Sequence, residues 1–238
     1  MAASLRDRTV LVVGRGGGIA RAVALAARDA GASVVAAGRN QAALESAYDG
    51  LRITDEYVDL TDEASVDALG LRLGTVDHVV STASARARGR VADLDREAVR
   101  LAFDTKVIGP IMLAKHLASR MPQDGSFVFF SGATAVKPEI GTLAVAATNG
   151  AVDTVIRSLA LELAPIRVNA VSPGVIDTGA WDGLGEQAKA EYFTDTAARN
   201  PARRIGTLDD VAEAVLFALT STFLTGATLG IDGGQTLT

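Results

Sequence analysis

The stretch Thr9–Ala20, TVLVVGRGGGIA, decides the fold of this 238-residue chain. Its first five residues, Thr9–Val13, have high β propensity, and the glycine-rich turn Gly14–Gly18 follows them directly. The segment after the turn is rich in Ala and has helical spacing. Glycines let a backbone turn sharply and approach a diphosphate, whose negative charge is attracted to the free N–H groups of a helix N-terminus. A strand, a glycine loop and a helix in this order predict a dinucleotide-binding unit.

Outward from this unit, short runs rich in Val and Ile alternate with Ala- and Leu-rich segments of helical period. Near-continuous hydrophobicity within a strand indicates burial on both faces, which is typical of a parallel sheet. The predicted strands are Thr9–Val13, Ser33–Ala37, Ile53–Val58, His78–Ser81, Ser126–Phe130, Arg167–Val171 and Thr228–Ile231. The predicted helices lie near 18–30, 41–48, 64–71, 96–120, 145–163 and 208–219, the last with Thr207 as its N-cap. No linker rich in Pro or Gly divides the chain, so we expect one α/β domain over 1–238: a Rossmann fold whose doubly wound, mainly parallel seven-stranded sheet is flanked by helices.

Composition excludes several classes of function. The formal net charge of −5 argues against nucleic-acid binding, and the chain has no cysteine for disulfides or a zinc–thiolate site. His78 and His116 have no metal-ligand spacing, so no metal is expected. The uncharged run Ala214–Ile231 is interrupted by Ser, Thr and Gly, and MAASLRDRT at the start has no apolar stretch. We therefore expect a soluble cytoplasmic protein that binds no membrane and acts on a small molecule.

The end of the second predicted strand bears on nucleotide preference. Folds that prefer NAD place an Asp or Glu there, which holds the ribose 2′-hydroxyl. Here the strand leads into Gly38, Arg39 and Asn40, with no acidic residue. Arg39, together with Arg15 of the glycine loop, has the planar multi-donor group that clamps a 2′-phosphate. The sequence therefore favours NADP(H), although Arg39 as a solvated residue at a helix entry is the alternative.

Four motifs resemble those of the short-chain dehydrogenase/reductase family. They are Gly14-x-x-x-Gly18-Ile19-Ala20 (with Ala in place of the last glycine), Val58-Asp59-Leu60, the stretch Arg157–Gly174, and the ending Thr225–Gly234. The resemblance covers essentially the whole chain and implies a cofactor-dependent oxidoreductase. Together with the chemistry of the glycine loop and of the two arginines, it predicts that the cofactor is bound by Gly14, Arg15, Gly16, Gly17, Gly18, Ile19, Arg39, Asp59, Leu60, Ala83, Asn149, Pro173, Gly174, Ile176 and Thr178.

The family's proton-transfer residues are not found in this sequence. The resemblance implies a Tyr-x-x-x-Lys pair, an upstream Ser that binds the substrate oxygen, and a relay Asn. Val145 takes the Tyr position, Asn149 the Lys position and Gly132 the Ser position, with Ser131 one residue early. Lys106 takes the place of the relay Asn. Valine has no titratable proton and cannot act as a general acid or base. We therefore expect an atypical member of the family that lacks the Ser-Tyr-Lys residues.

Two functions remain open at this stage. In the first, NADP(H)-dependent reduction of a C=O, C=C or C=N bond persists with substitute catalytic residues: Ser131, Lys106, Asn149 and Tyr192. In the second, the fold guides a non-redox step such as cyclisation or isomerisation, or only binds the cofactor. Lys106 as a solvated helix residue and Ser131 as a turn cap are the structural alternatives.

The segment after Pro173-Gly174 corresponds to the family's substrate lid, here about 179–204. It holds Trp181, Tyr192 and Phe193, which indicates either a pocket for an apolar or flat substrate or packing of the lid on the body. Arg86, Arg88 and Arg90 alternate along the chain; a solvated basic face is the favoured interpretation, and binding of an anionic substrate group the alternative.

The resemblance also implies a homo-oligomer, either a dimer or a tetramer. The family assembles through helices equivalent to 96–120 and 145–163 and through the C-terminal strand. The Ala-rich face of Ala144–Ala151 and Ala160–Leu163 would allow two helices to approach closely.

Overall fold

A computed structural model describes residues 4–238, and its centre is one seven-stranded sheet. All neighbouring strands are parallel, in the order β3-β2-β1-β4-β5-β6-β7. The strands are β1 Thr9–Val13, β2 Ser33–Gly38, β3 Ile53–Tyr57, β4 His78–Ser81, β5 Ser126–Phe130, β6 Arg167–Pro173 and β7 Thr228–Ile231. The predicted single-domain Rossmann fold is confirmed, with a sheet that is wholly rather than mainly parallel.

Helices cover both faces of this sheet. They are α1 Gly18–Asp29, α2 Gln41–Tyr48, α3 Glu63–Leu73, α4 Arg96–Phe103, α5 Gly109–Leu117, α6 Leu143–Glu162, α7 Glu186–Arg199 and α8 Leu208–Thr220. Side chains alternate across β1: Val10 and Val12 join a core under α1 and α8, whereas Leu11 and Val13 join a second core under α5 and α6. Burial on both faces explains why the strands lack polar alternation. Among residues 4–238, no helix is long and apolar enough to cross a bilayer.

The ends of α8 show how the sequence fixes its helices. Thr207 caps the helix, because its hydroxyl accepts from the Asp210 amide at 3.2 Å while the Asp210 carboxylate accepts from the Thr207 amide at 2.7 Å. At the other end the buried Arg167 guanidinium donates to three carbonyls near the helix C-terminus. These belong to Ala218 (2.9 Å), Leu219 (2.7 Å) and Ser221 (2.8 Å). A cation is favourable at that end of the helix dipole.

The helix predicted over 96–120 is not continuous. A π-helical turn, Asp104–Ile108, separates α4 from α5, and the Gly109 amide donates to the Asp104 carbonyl five residues earlier. Pro110 fits this irregularity, since it has no N–H for the carbonyl of Lys106, four residues before it. Such turns are frequent at functional sites, and this one carries Lys106.

The lid contains a helix that the sequence analysis did not predict. Helix α7 lies within 179–204, and Thr196 is its only buried residue. It has no apolar stripe, so hydrophobic periodicity does not reveal it.

Candidate active site

A cleft of about 790 Å³ opens at the carboxyl ends of the strands. It lies beside the neighbouring strands β1 and β4, from which the chain continues towards opposite edges of the sheet. Ligands bind at this switch point in open α/β sheets. The four predicted catalytic residues, Lys106, Ser131, Asn149 and Tyr192, all line the cleft. So do the predicted cofactor residues Gly14, Arg15, Gly16, Gly17, Ile19, Arg39, Asp59, Leu60, Ala83, Asn149, Pro173, Gly174, Ile176 and Thr178. Gly18 is the exception; it makes the turn at φ 55°, and a Cβ there would lie 3.1 Å from the Thr178 carbonyl oxygen.

The glycine loop leaves room for a diphosphate. A Cβ on Gly14 would lie 2.4 Å from the Thr82 hydroxyl, so only glycine fits at the floor of the turn. Gly17 is the N-cap of α1 and has no side chain to satisfy the first amides of the helix. These amides are therefore free to bind an anion, which fits the diphosphate of a nicotinamide dinucleotide.

The nucleotide end of the cleft is defined by Arg15, Arg39 and Asp59. The Asp59 carboxylate, at the end of β3, accepts from the Thr61 amide at 2.9 Å and the Thr61 hydroxyl at 2.8 Å. Arg39 follows β2 and is exposed, and Arg15 projects from the glycine loop. Two guanidinium groups thus lie at the edge where Rossmann folds bind the adenosine ribose.

Lys106 is the centre of a buried hydrogen-bond network. Its Nζ donates to the Ser131 carbonyl at 3.2 Å and to Oδ1 of Asn149, which binds the Thr134 hydroxyl through Nδ2 at 2.7 Å. The Ser131 hydroxyl donates to the Asn149 carbonyl at 3.1 Å. Three of the predicted catalytic residues are therefore brought together. Thr134 was missed by the sequence analysis, because a threonine in a short turn belongs to no motif.

Burial lowers the pKa of the Lys106 ammonium. With 8 % of its surface exposed, Lys106 has a pKa lowered to about 8, first by desolvation and then by the nearby Arg86, against the opposing effect of Asp153. Lys106 is thus a residue of the cleft wall, and its interpretation as a solvated helix lysine was wrong.

Gly132 and Val145 lie on the same wall of the cleft as Asn149. A Cβ on Gly132 would lie 2.7 Å from Nδ2 of Asn149. A side chain at position 132 and the present orientation of Asn149 therefore exclude each other.

The lid contributes an aromatic wall. The rings of Trp181 and Tyr192 are 4.8 Å apart, Phe193 lies 6.1 Å beyond Tyr192, and the Trp181 indole donates to the Ile176 carbonyl at 3.0 Å. Burial, and then Glu139, raise the pKa of Tyr192, so its phenol stays protonated. Among the hydrogen bonds of the described residues, none joins Tyr192 to the Lys106 network.

The basic stretch after β4 borders the cleft. Arg86 and Arg88 line the cleft, whereas Arg90 does not. The Arg88 guanidinium lies 5.9 Å from the centre of the Trp181 ring. All three arginines are exposed, as a solvated basic face requires, but Arg86 and Arg88 also line the cleft, and Arg88 lies against the lid.

The fold and the cleft together define a Rossmann-type protein built to bind a dinucleotide. A family model described as enoyl-(acyl carrier protein) reductase matches residues 13–236. The chain is 33% identical to L-xylulose reductase of Mesocricetus auratus, over 98% of each chain. It is 32% identical to the short-chain dehydrogenase/reductase ucsE of Acremonium sp, over 97% of this chain and 96% of that protein.

A solved structure described as a small-chain dehydrogenase in complex with NADPH is also similar. It is 30% identical, with a TM-score of 0.83 over 97% of this chain and 99% of that one. The chain belongs to the short-chain dehydrogenase/reductase family, whose members are oxidoreductases that bind a nicotinamide cofactor.

Proposed function

We propose that the protein is an NADP(H)-dependent reductase of a C=O, C=C or C=N bond in a small molecule, with Lys106 as its proton donor. The observation that carries this proposal is the hydrogen bonding of the Lys106 ammonium to Asn149 and Ser131 in the wall of the cofactor cleft. The resemblance assigns Val145 to the position of the family's Tyr, and valine has no ionisable proton. An atypical active site needs another proton source, and Lys106 is a buried, ionisable group at that wall.

The choice of NADP(H) is supported by the two arginines at the nucleotide end. Arg15 and Arg39 would hold a 2′-phosphate, and the strand before Arg39 ends without an acid that would favour a 2′-hydroxyl. The similar dehydrogenase structure described with NADPH points the same way. When bound, the reduced cofactor supplies the hydride.

Lys106 is suited to hold and give a proton. An ammonium has three N–H donors, and two of them are used by the Ser131 carbonyl and by Asn149. The third is available to a substrate atom in the cleft. A pKa of about 8 leaves most of the Lys106 population protonated at pH 7 and makes its proton easier to transfer than that of a solvated lysine.

Ser131 and Asn149 act as positioning residues in this scheme. The Ser131 hydroxyl donates its hydrogen bond to the Asn149 backbone carbonyl, so it is not free to donate one to a substrate oxygen. Asn149 is fixed on both sides, by Thr134 and by Lys106. Tyr192 belongs to the lid wall and contacts the body of the substrate rather than the reacting atoms.

Calorimetric titration with NADPH and with NADH tests the cofactor. We expect NADPH to bind at least tenfold tighter, a difference of about 1.4 kcal/mol. Arg39→Ala should remove this preference while NADH binding stays unchanged, and Arg96→Ala, at a highly exposed position, serves as the control. Equal affinities, or no binding of either dinucleotide, would contradict the proposal.

Lys106→Met tests the proton donor. Loss of a positioned general acid lowers the turnover rate by about 100- to 10,000-fold, so NADPH oxidation with a panel of ketones, enones and imines should fall by this amount. NADPH affinity should remain within a few-fold of wild type. The control is Lys115→Met, whose lysine pairs with Glu63 on the surface. Unchanged turnover in Lys106→Met would exclude Lys106 as the donor.

A further inference from the structure

The cleft is far more basic than the protein around it. The chain has a formal net charge of −5. The ionisable side chains that line the cleft are nevertheless mostly cationic: Arg15, Arg39, Arg86, Arg88 and Lys106, against Asp59 and Glu139, with Tyr192 neutral. A local excess of positive charge in a concave site attracts anionic ligands.

The cofactor does not account for all of these cations. In the proposed function Arg15 and Arg39 bind the 2′-phosphate, and the loop amides before α1 bind the diphosphate. Lys106 is engaged with Ser131 and Asn149. Arg86 and Arg88 remain, both on the segment that follows β4.

Arg86 is surrounded by positive charge. Water reaches its side chain within the cleft, but desolvation still lowers the pKa of the guanidinium, and Arg88 and then Arg15 lower it further. Among the described residues no carboxylate raises this pKa in compensation. Arg86 is in turn close enough to Lys106 to lower the pKa of that ammonium. An arginine held in this way is stabilised when an anion enters beside it.

Arg88 lies on the substrate side of the cleft. Its guanidinium lies 5.9 Å from the centre of the Trp181 ring and acts on the phenol of Tyr192, so it faces the lid. Arg86 acts on Lys106 and Arg88 lies over Trp181, and neither guanidinium forms a salt bridge with a carboxylate among residues 4–238. Their planar donors match the geometry of a carboxylate.

We infer that the substrate carries a carboxylate, which Arg86 and Arg88 bind while Trp181 and Tyr192 contact its apolar body. This inference rests on the proposed function for the place of the reacting bond, beside Lys106. It assigns the substrate class: a small organic acid with an apolar or aromatic part.

Fluorescence of Trp181 tests the inference without any turnover. Trp181 is the only tryptophan of the chain and stands next to Arg88, so its emission reports on this subsite. The probes are two matched pairs, benzoate with benzamide and hexanoate with hexanamide, titrated with NADP⁺ present and absent. We expect each carboxylate to bind at least tenfold tighter than its amide.

Variants separate the substrate subsite from the cofactor site. Arg86→Gln should reduce the carboxylate preference to less than twofold, and Arg86→Lys should restore part of it. Arg90→Gln, on the same segment but outside the cleft, should leave it unchanged. NADP⁺ affinity should stay within a few-fold of wild type in all three variants.

Three results would overturn the inference. The first is equal binding, or no binding, of a carboxylate and its amide. The second is a preference that survives Arg86→Gln. The third is a tenfold loss of NADP⁺ affinity in Arg86→Gln, which would assign Arg86 to the cofactor diphosphate. Failure of NADPH-dependent reduction would leave the Trp181 readout intact, so the two proposals fail separately.

Discussion

The proton affinity of Lys106 can be shifted by one neighbouring atom. In Asn149→Asp a carboxylate oxygen replaces the amide oxygen that accepts from the Lys106 ammonium. An opposite charge at hydrogen-bond distance shifts a pKa by about 1 to 3. The pKa of Lys106, about 8 in the wild type, should therefore rise to roughly 9–11 in the variant.

The pH dependence of catalysis should shift in the same direction as the pKa of Lys106. If Lys106 must be protonated to act, wild-type NADPH oxidation is retained below pH 8 and is lost as the pH rises through about 8. In Asn149→Asp the same loss should occur at a higher pH. Thr134→Val removes the other partner of Asn149 without adding charge, so its profile should stay close to that of the wild type.

Carbon NMR of protein labelled with ¹³C at the lysine Cε measures the same quantity without a substrate. The chain has four lysines, Lys106, Lys115, Lys137 and Lys189, so few signals need to be resolved. The signal missing in Lys106→Met identifies the residue. A Lys106 signal that titrates near the ordinary 10.4, or one that moves to lower pH in Asn149→Asp, would refute the reasoning.

Three further predictions concern stability. Burial lowers the pKa of His78 to about 4. Between pH 6.5 and 4 the histidine is therefore protonated in the unfolded state but neutral in the folded state. The free energy of unfolding should fall by about 3 kcal/mol as the pH is lowered over that range. His78→Gln should flatten this fall in urea titrations, and an unchanged slope would contradict it. Arg167→Met should lower the free energy of unfolding by about 3 kcal/mol, because three carbonyls at the end of α8 lose their hydrogen-bond donor. The control Arg157→Met, at an exposed position, should change it very little. Thr207→Ala should cost about 1 kcal/mol in thermal unfolding, and Thr207→Ser much less; equal losses would exclude the cap as the cause.

The sequence predicted the sheet well because buried parallel strands leave a strong signal. Continuous apolar runs such as Thr9–Val13 predict a buried strand without reference to the rest of the chain. Glycines such as Gly14 are required in the loop, because a Cβ there would come too close to neighbouring atoms. Helix α7 was missed because its residues are mostly polar and its place depends on tertiary contacts, such as the ion pair of Lys189 with Asp177.

The site was predicted as a set of residues rather than as a geometry. Alignment with family motifs placed Lys106, Ser131 and Asn149 in one cleft, but Lys106 lies in a π turn before Pro110, and no periodicity shows this turn. The orientation of Arg86 towards the cleft was also beyond the sequence. An alternating basic stretch has the same composition on a solvated face and in a binding site, and only the path of the chain distinguishes them.

Mass balance of the reaction tests the proposed chemistry most directly. The protein is incubated with a panel of unsaturated organic acids and with stoichiometric NADPH that carries deuterium at the transferred position. The masses of the products are then measured by mass spectrometry. We expect a product heavier than its substrate by one deuterium from the cofactor and one hydrogen from solvent, with one NADPH consumed for each product molecule. A product of unchanged mass, or one that has lost water, formed while NADPH is not consumed, would contradict reduction and show a non-redox reaction on this fold.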